Sequence, residues 1–75
     1  MSLVLVTGGS GYFGSLLVDR LGAAGHRVRI FDLNDTDDRA DGVEFVAGDI
    51  RDRDAVHEAV DGVDIVMNNV EQVTK

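Results

Sequence analysis

Residues 7 to 14 read Thr-Gly-Gly-Ser-Gly-Tyr-Phe-Gly, directly after the apolar run Leu3-Val4-Leu5-Val6 and directly before a helical pattern. Without side chains at Gly8, Gly9 and Gly11, the backbone can turn sharply and admit phosphate oxygens. The unpaired N–H groups at the start of the following helix add donors and a partial positive charge. The chemistry this pattern serves is anion binding, and its spacing fits the pyrophosphate of a dinucleotide. Gly14 has a separate task, since one turn into the helix a missing Cβ lets the helix approach the first strand.

A second residue fits the same ligand. The run Arg27-Val28-Arg29-Ile30-Phe31 ends in Asp32, 18 positions beyond Gly14. That is close to the separation expected between the glycine turn and a carboxylate that accepts from a ribose hydroxyl. Neither signal is specific alone. Strand, glycine turn, helix, strand and acid in this order make a consistent dinucleotide site.

The elements that must position these residues follow from periodicity. The pattern predicts strand 3–7, helix 12–24, strand 27–32, an acidic loop 33–42, strand 43–47, helix 53–61 and strand 63–68. In the first helix, Phe13, Leu16, Leu17, Leu21 and Ala24 recur at three and four, with Gly25 at the expected left-handed cap. In the second, Asp52 is the expected N-cap, Ala55, Val56, Ala59 and Val60 form the apolar stripe, and Gly62 follows. The near-continuous apolar strands imply a parallel sheet covered on both faces. Right-handed crossovers then give an α/β fold with sheet order 3-2-1-4 and helices on both faces, half of a Rossmann-like doubly wound fold.

Composition bounds the function. The chain has 75 residues, enough for one small domain, here residues 1–75, that buries roughly 60 to 65% of its unfolded surface. Its net charge is −7, with eleven aspartates and three glutamates against six arginines and the single Lys75. That field opposes nucleic acid, and it also opposes a dinucleotide, so binding must rest on local donors and tighten as salt screens the remainder. No stretch is apolar enough for a membrane span, and no cysteine is present for disulfides or thiolate metal sites. With no basic segment ahead of the short N-terminal apolar run, the expectation is a cytoplasmic protein.

Together these residues resemble the extended short-chain dehydrogenase/reductase family, in particular its NAD-dependent nucleotide-sugar epimerases and dehydratases. Thr7-Gly8-Gly9-Ser10-Gly11-Tyr12-Phe13-Gly14 fits T-G-x-x-G-x-x-G, Phe31-Asp32-Leu33 follows at strand two, and Gly48-Asp49-Ile50-Arg51-Asp52 follows strand three. The resemblance implies that Gly8, Gly11 and Gly14 form the pyrophosphate turn and that Tyr12 and Phe13 supply backbone amides. It implies that Asp32 accepts from the adenosine ribose and that Asp49 and Ile50 flank the adenine. The implied cofactor is NAD rather than NADP, because a 2′-phosphate would face the Asp32 carboxylate.

The chain departs from that family in two places. Where small residues usually lie beside the cofactor it reads Asn68-Asn69-Val70-Glu71, which brings a carboxylate near the dinucleotide. The family's catalytic Tyr-x-x-x-Lys and its upstream Ser or Thr do not occur within these residues, so no catalytic residue is assigned. Other chemistries fail on single positions: Ser15 stands where a P-loop needs lysine, and the acidic loop lacks the Gly and Glu of a calcium loop. His26 and His57 have no second ligand at metal spacing and read as surface residues.

Three functions remain open. One is a minimal NAD-binding module without its own catalysis. Another is a self-associating unit whose cofactor binding is vestigial, because the strand at 63–68 leaves an open edge near 63–70, with almost no protecting charge in Ile65-Val66-Met67, that predicts a homodimer. The third is the enzyme itself, with the Tyr-Lys pair supplied by a partner chain.

Overall fold

The computed structural model describes residues 2–8, 12–34 and 42–68. In chain order these form β1 (Leu3–Thr7), α1 (Tyr12–Ala23), β2 (Arg27–Asp32), β3 (Glu44–Ala47), α2 (Arg53–Val60) and β4 (Ile65–Asn68). Every pairing is parallel, and the sheet order is β3-β2-β1-β4. The predicted topology is therefore the observed one. Element ends move by one or two residues, with Val63 and Asp64 lying before β4 rather than in it.

Alternation along the strands divides the core into two layers. Val4 and Val6 of β1 and Val28 and Ile30 of β2 pack with Val18 of α1, flanked by Leu17, Leu21, Val43 and Phe45. On the opposite face Leu5 and Phe31 pack with Ala59 of α2, flanked by Val46, Ala55, Val56, Val60 and Val63. One helix covers each face. Val4 and Val6 retain no solvent exposure, and burying each such side chain contributes about 1.5–3 kcal/mol.

The apolar face of α1 differs from the predicted one. Leu16 and Ala24 are exposed, whereas Gly14 and Val18 are buried. Leu16, Leu17 and Val18 are consecutive apolar residues, so spacing alone admits two faces. The sheet takes Val18, flanked by Leu17 and Leu21, with Gly14 buried on the preceding turn. Both predicted caps are present. Gly25 has φ +91° after α1, and the Asp52 side chain accepts from the amides of Asp54 and Ala55.

Arginines close the second layer. Arg29 donates through Nη1 to the carbonyls of Ala59 and Asp61, each at 2.8 Å, satisfying the C-terminal end of α2. Arg27 and Arg29 also meet Glu44 of β3, with Nη2 to Oε2 at 2.8 Å and Nε to Oε1 at 2.9 Å. The hydrogen bond from Arg29, followed by that from Arg27, holds the Glu44 carboxyl below its ordinary range despite some burial. His26, expected at the surface, is half-buried, and its Nδ1 is enclosed by protein.

Candidate dinucleotide site

Because the strands run parallel, their C-terminal ends share one edge, and every candidate residue that the structure describes lies there. Backbone hydrogen bonds tie this edge together. Gly8 N–H donates to the Phe31 carbonyl at 2.9 Å, and Gly48 N–H donates to the Asp32 carbonyl at 3.0 Å. The three segments that leave β1, β2 and β3 are thus fixed to one another before any ligand is considered.

Gly8 has φ +70°, a conformation that L side chains rarely adopt, and it turns the chain out of β1. Gly9, Ser10 and Gly11 lie outside the described residues. The chain re-enters the description at Tyr12 and Phe13, the first residues of α1, and Gly14 is buried behind them. The two helix N-termini differ in charge. No acid stands in the first turn of α1, whereas α2 has Asp52 as its cap and Asp54 in its first turn. The partial positive charge of α1 is left for an external anion, while that of α2 is already answered.

Asp32 ends β2. Its position in the strand alternation, two residues after Ile30, puts it on the α1 face of the sheet, the same face as the N-terminus of α1. Its Oδ1 accepts from the Leu33 amide at 2.6 Å, which orients the carboxylate across the strand end. An acceptor carboxylate beside an uncompensated helix N-terminus is a suitable pair for a ribose and its neighbouring phosphates.

Asp49 sits in the turn between β3 and α2, and the Asp52 amide donates to its carbonyl at 2.8 Å. Its carboxylate is gripped by Arg51. The Arg51 amide donates to Oδ1 at 2.9 Å, Nη2 donates to Oδ2 at 2.7 Å, and Nε reaches both oxygens at 3.1 and 3.2 Å. The side-chain hydrogen bond from Arg51, aided by its backbone bond, lowers the Asp49 carboxyl from 3.8 to about 2. Sequence reasoning named Asp49 and missed Arg51, although an arginine two positions after the aspartate was the visible signal. Ile50 is 43% exposed and lines an open hollow along α2 with Val56 and Val60.

At β4, Thr7 Oγ1 donates to Asn68 Oδ1 at 2.5 Å, across a register that pairs these two residues. Asn69, Val70 and Glu71 lie outside the described residues. Among the described residues no helix is long and apolar enough to cross a membrane, and no cluster of potential metal ligands occurs.

Known proteins resemble this chain in sequence and fold. The model of the NAD dependent epimerase/dehydratase family matches residues 4–74. The uncharacterised protein y4nG of Sinorhizobium fredii is 52% identical over 69 residues, covering 92% of this chain and 17% of that protein. A 3 beta-hydroxysteroid dehydrogenase/Delta 5-->4-isomerase of Mycobacterium tuberculosis is 44% identical over 72 residues, covering 87% of this chain and 18% of that enzyme. The UDP-glucose 4-epimerase of Thermus thermophilus, solved in complex with NAD, superposes with a TM-score of 0.84 at 32% identity, over 96% of this chain and 25% of that one. A short-chain dehydrogenase/reductase superfamily protein from Agrobacterium tumefaciens with bound NAD gives a TM-score of 0.82 at 33% identity, over 96% of this chain and 21% of that one. The chain thus spans between about a sixth and a quarter of the length of the relatives it matches.

Gly48 sets how closely the Asp49 turn can lie against the sheet. A Cβ there would stand 2.7 Å from Phe31 Cε1 and 2.9 Å from the Ala55 Cβ, both in the packed α2 layer. Gly48→Ala is expected to cost about 1–3 kcal/mol through overpacking. In a domain of this size each kcal/mol lowers the melting temperature by about 4–8 °C. A thermal melt followed by circular dichroism measures it, and an unchanged midpoint would show that the turn is not held by this contact.

Proposed function

The chain belongs to the NAD-dependent epimerase/dehydratase family, and from that premise we propose that its own residues bind the adenosine and pyrophosphate parts of NAD. The observation that carries this reading is the common edge where the positive end of α1 and the Asp32 carboxylate share one face of the sheet. Gly8, Gly11 and Gly14 form the phosphate turn, with the Tyr12 and Phe13 amides as donors. Asp32 accepts from the ribose hydroxyls, and Asp49 and Ile50 flank the adenine. NAD, once bound, supplies hydride transfer at its nicotinamide ring. These residues hold the other end of the molecule, and none of them is a proton-transferring group for a substrate.

In this reading the chain is a cofactor-binding module without catalysis of its own. Within its 75 residues the only tyrosine, Tyr12, is followed four positions on by Leu16 rather than lysine. A tyrosine acid/base needs a nearby cation to lower its pKa, and Tyr12 lacks the lysine that the family places four positions on. For the full-length activity we favour nucleotide-sugar chemistry in the cytoplasm. The Thermus epimerase likeness supports the sugar class, and the absence of cysteine from the sequence suits a reducing compartment.

A second reading is favoured by β4. Ile65, Val66 and Met67 are 46%, 53% and 38% exposed, and among the described residues β4 is paired on one edge, with β1. A second copy aligned on the free edge would extend the sheet through a two-fold axis.

Calorimetric titration separates these roles. NAD should bind saturably and more tightly than NADP, and Asp32→Ala should weaken NAD by about tenfold, the value of a lost charge-assisted hydrogen bond. Equal affinity in the parent and Asp32→Ala proteins would remove Asp32 from the site. Sedimentation at high micromolar concentration should show a dimer, and a strictly monomeric boundary would contradict the strand-edge association.

A further inference from the structure

One face of β2 supports both ends of α2. Residues two apart in a strand point to the same side, so Arg29 and Phe31 both face the α2 layer, about 7 Å apart along the strand. Phe31 lies under the head of the helix, where a Cβ on Gly48 would stand 2.7 Å from its ring and 2.9 Å from the Ala55 Cβ. Arg29 lies under the tail. Its Nη1 donates to the carbonyls of Ala59 and Asp61, each at 2.8 Å, and its Nε donates to Oε1 of Glu44 at 2.9 Å. The side chain is 15% exposed, so the planar guanidinium is enclosed, oriented by β3 through Nε and gripping α2 through Nη1.

Little else holds this helix down. It has eight residues, too few to be stable alone, and Ala59 is the only one of them that is fully buried. Its flank of Val56 and Val60 is half-buried and opens on the hollow that Ile50 lines. Hydrogen bonds from a charged donor are stronger than neutral ones, so the Arg29 grip is a large part of what keeps the tail on the sheet. The head carries a second structure with it. Asp52 caps α2 through the amides of Asp54 and Ala55, and the Asp52 amide donates to the Asp49 carbonyl at 2.8 Å. Helix and turn are therefore one piece, and the seating of α2 sets where Asp49 and Ile50 stand.

We propose that Arg29 is a positioning residue for the dinucleotide site, which seats α2 by its tail and so holds the turn of Asp49 and Ile50 at the strand ends. Its bearing on the ligand rests on the reading that these two residues flank the adenine of NAD. Arg29 acts from the far end of the helix, through the carbonyls of Ala59 and Asp61. Without that grip α2 spends part of its time off the sheet and draws the turn along. The fraction of molecules with a formed site falls, and apparent affinity falls with it.

Two variants test it. Arg29→Met keeps an apolar stem and removes the donors, and Arg29→Lys keeps the charge and loses the planar fork. Nitrogen-15 relaxation dispersion on the ligand-free proteins reads the opening of α2 on the millisecond scale. Arg29→Met should show exchange at residues 49–60 and none in α1, with Arg29→Lys between it and the parent chain. A residue that only adds stability would lower the melting temperature without exchange confined to 49–60. Exchange in both helices alike, or in neither, would overturn the proposal. Should Arg29→Met fail to fold, Arg29→Lys decides the same question: exchange at 49–60 above that of the parent supports the grip, and parental exchange overturns it. Calorimetry then reads the consequence for the ligand. NAD affinity should fall about threefold in Arg29→Met and less in Arg29→Lys. Amide shifts at Asp49 and Ile50 on adding NAD should shrink, while those at Gly8 and the head of α1 persist. Unchanged NAD affinity beside a mobile α2 would overturn the positioning role and leave the NAD reading intact. A parent chain that does not bind NAD would overturn that reading and the positioning role together, whereas the exchange result would still decide whether Arg29 seats α2.

Discussion

The site depends on β1 lying buried at the point where the strand order reverses. From β1 the chain crosses on one face through α1 to β2 and, after β3, returns on the other face through α2 to β4. Both faces of β1 are therefore covered, and all five of its residues are buried. A strand flanked by crossovers of opposite sense leaves a crevice at its carboxyl end, because the connections on its two sides depart in opposite directions. Gly8 is the first residue beyond that end. Its positive φ turns the chain into the crevice, and its amide is anchored on Phe31.

Electrostatics then decide which part of the edge receives an anion. The chain carries a net charge of −7, so the general field is unfavourable for a dinucleotide. The local field at the head of α1 is the exception, since its first turn holds no acid, while the head of α2 is occupied by Asp52 and Asp54. Two aspartates remain at the edge, and they are managed differently. The Leu33 amide steadies Asp32, and Arg51 pairs with Asp49. Each carboxylate is thereby kept as an oriented acceptor at the strand ends.

Much of the fold could be read from the residues because it rests on local signals. The apolar strands, Gly25 at the end of α1 and Asp52 at the head of α2 each announce their structure within a few positions. The inward face of α1 could not be chosen locally, because Leu16, Leu17 and Val18 offer two faces and only packing of Val18 against Val4, Val6, Val28 and Ile30 selects one. Arg29 satisfies carbonyls of the α2 end that lie 30 and 32 positions away. No periodicity records such a contact. Its partnership with Glu44 follows from the β2–β3 register, which sequence does not specify. The candidate ligand residues were legible as types and spacings. The grip of Arg51 on Asp49 was not, because proximity in sequence does not fix the direction of two side chains.

The central claim is that the glycine turn, Asp32 and Asp49 form one surface for NAD. Amide chemical shifts recorded while NAD is titrated into the nitrogen-15-labelled chain test it most directly. The account predicts saturable shifts at Gly8, at the first residues of α1, at Leu33 and at Asp49 and Ile50, with the C-terminal turn of α2 unaffected. Shifts confined to α2 or β4, or none at millimolar NAD, would contradict it.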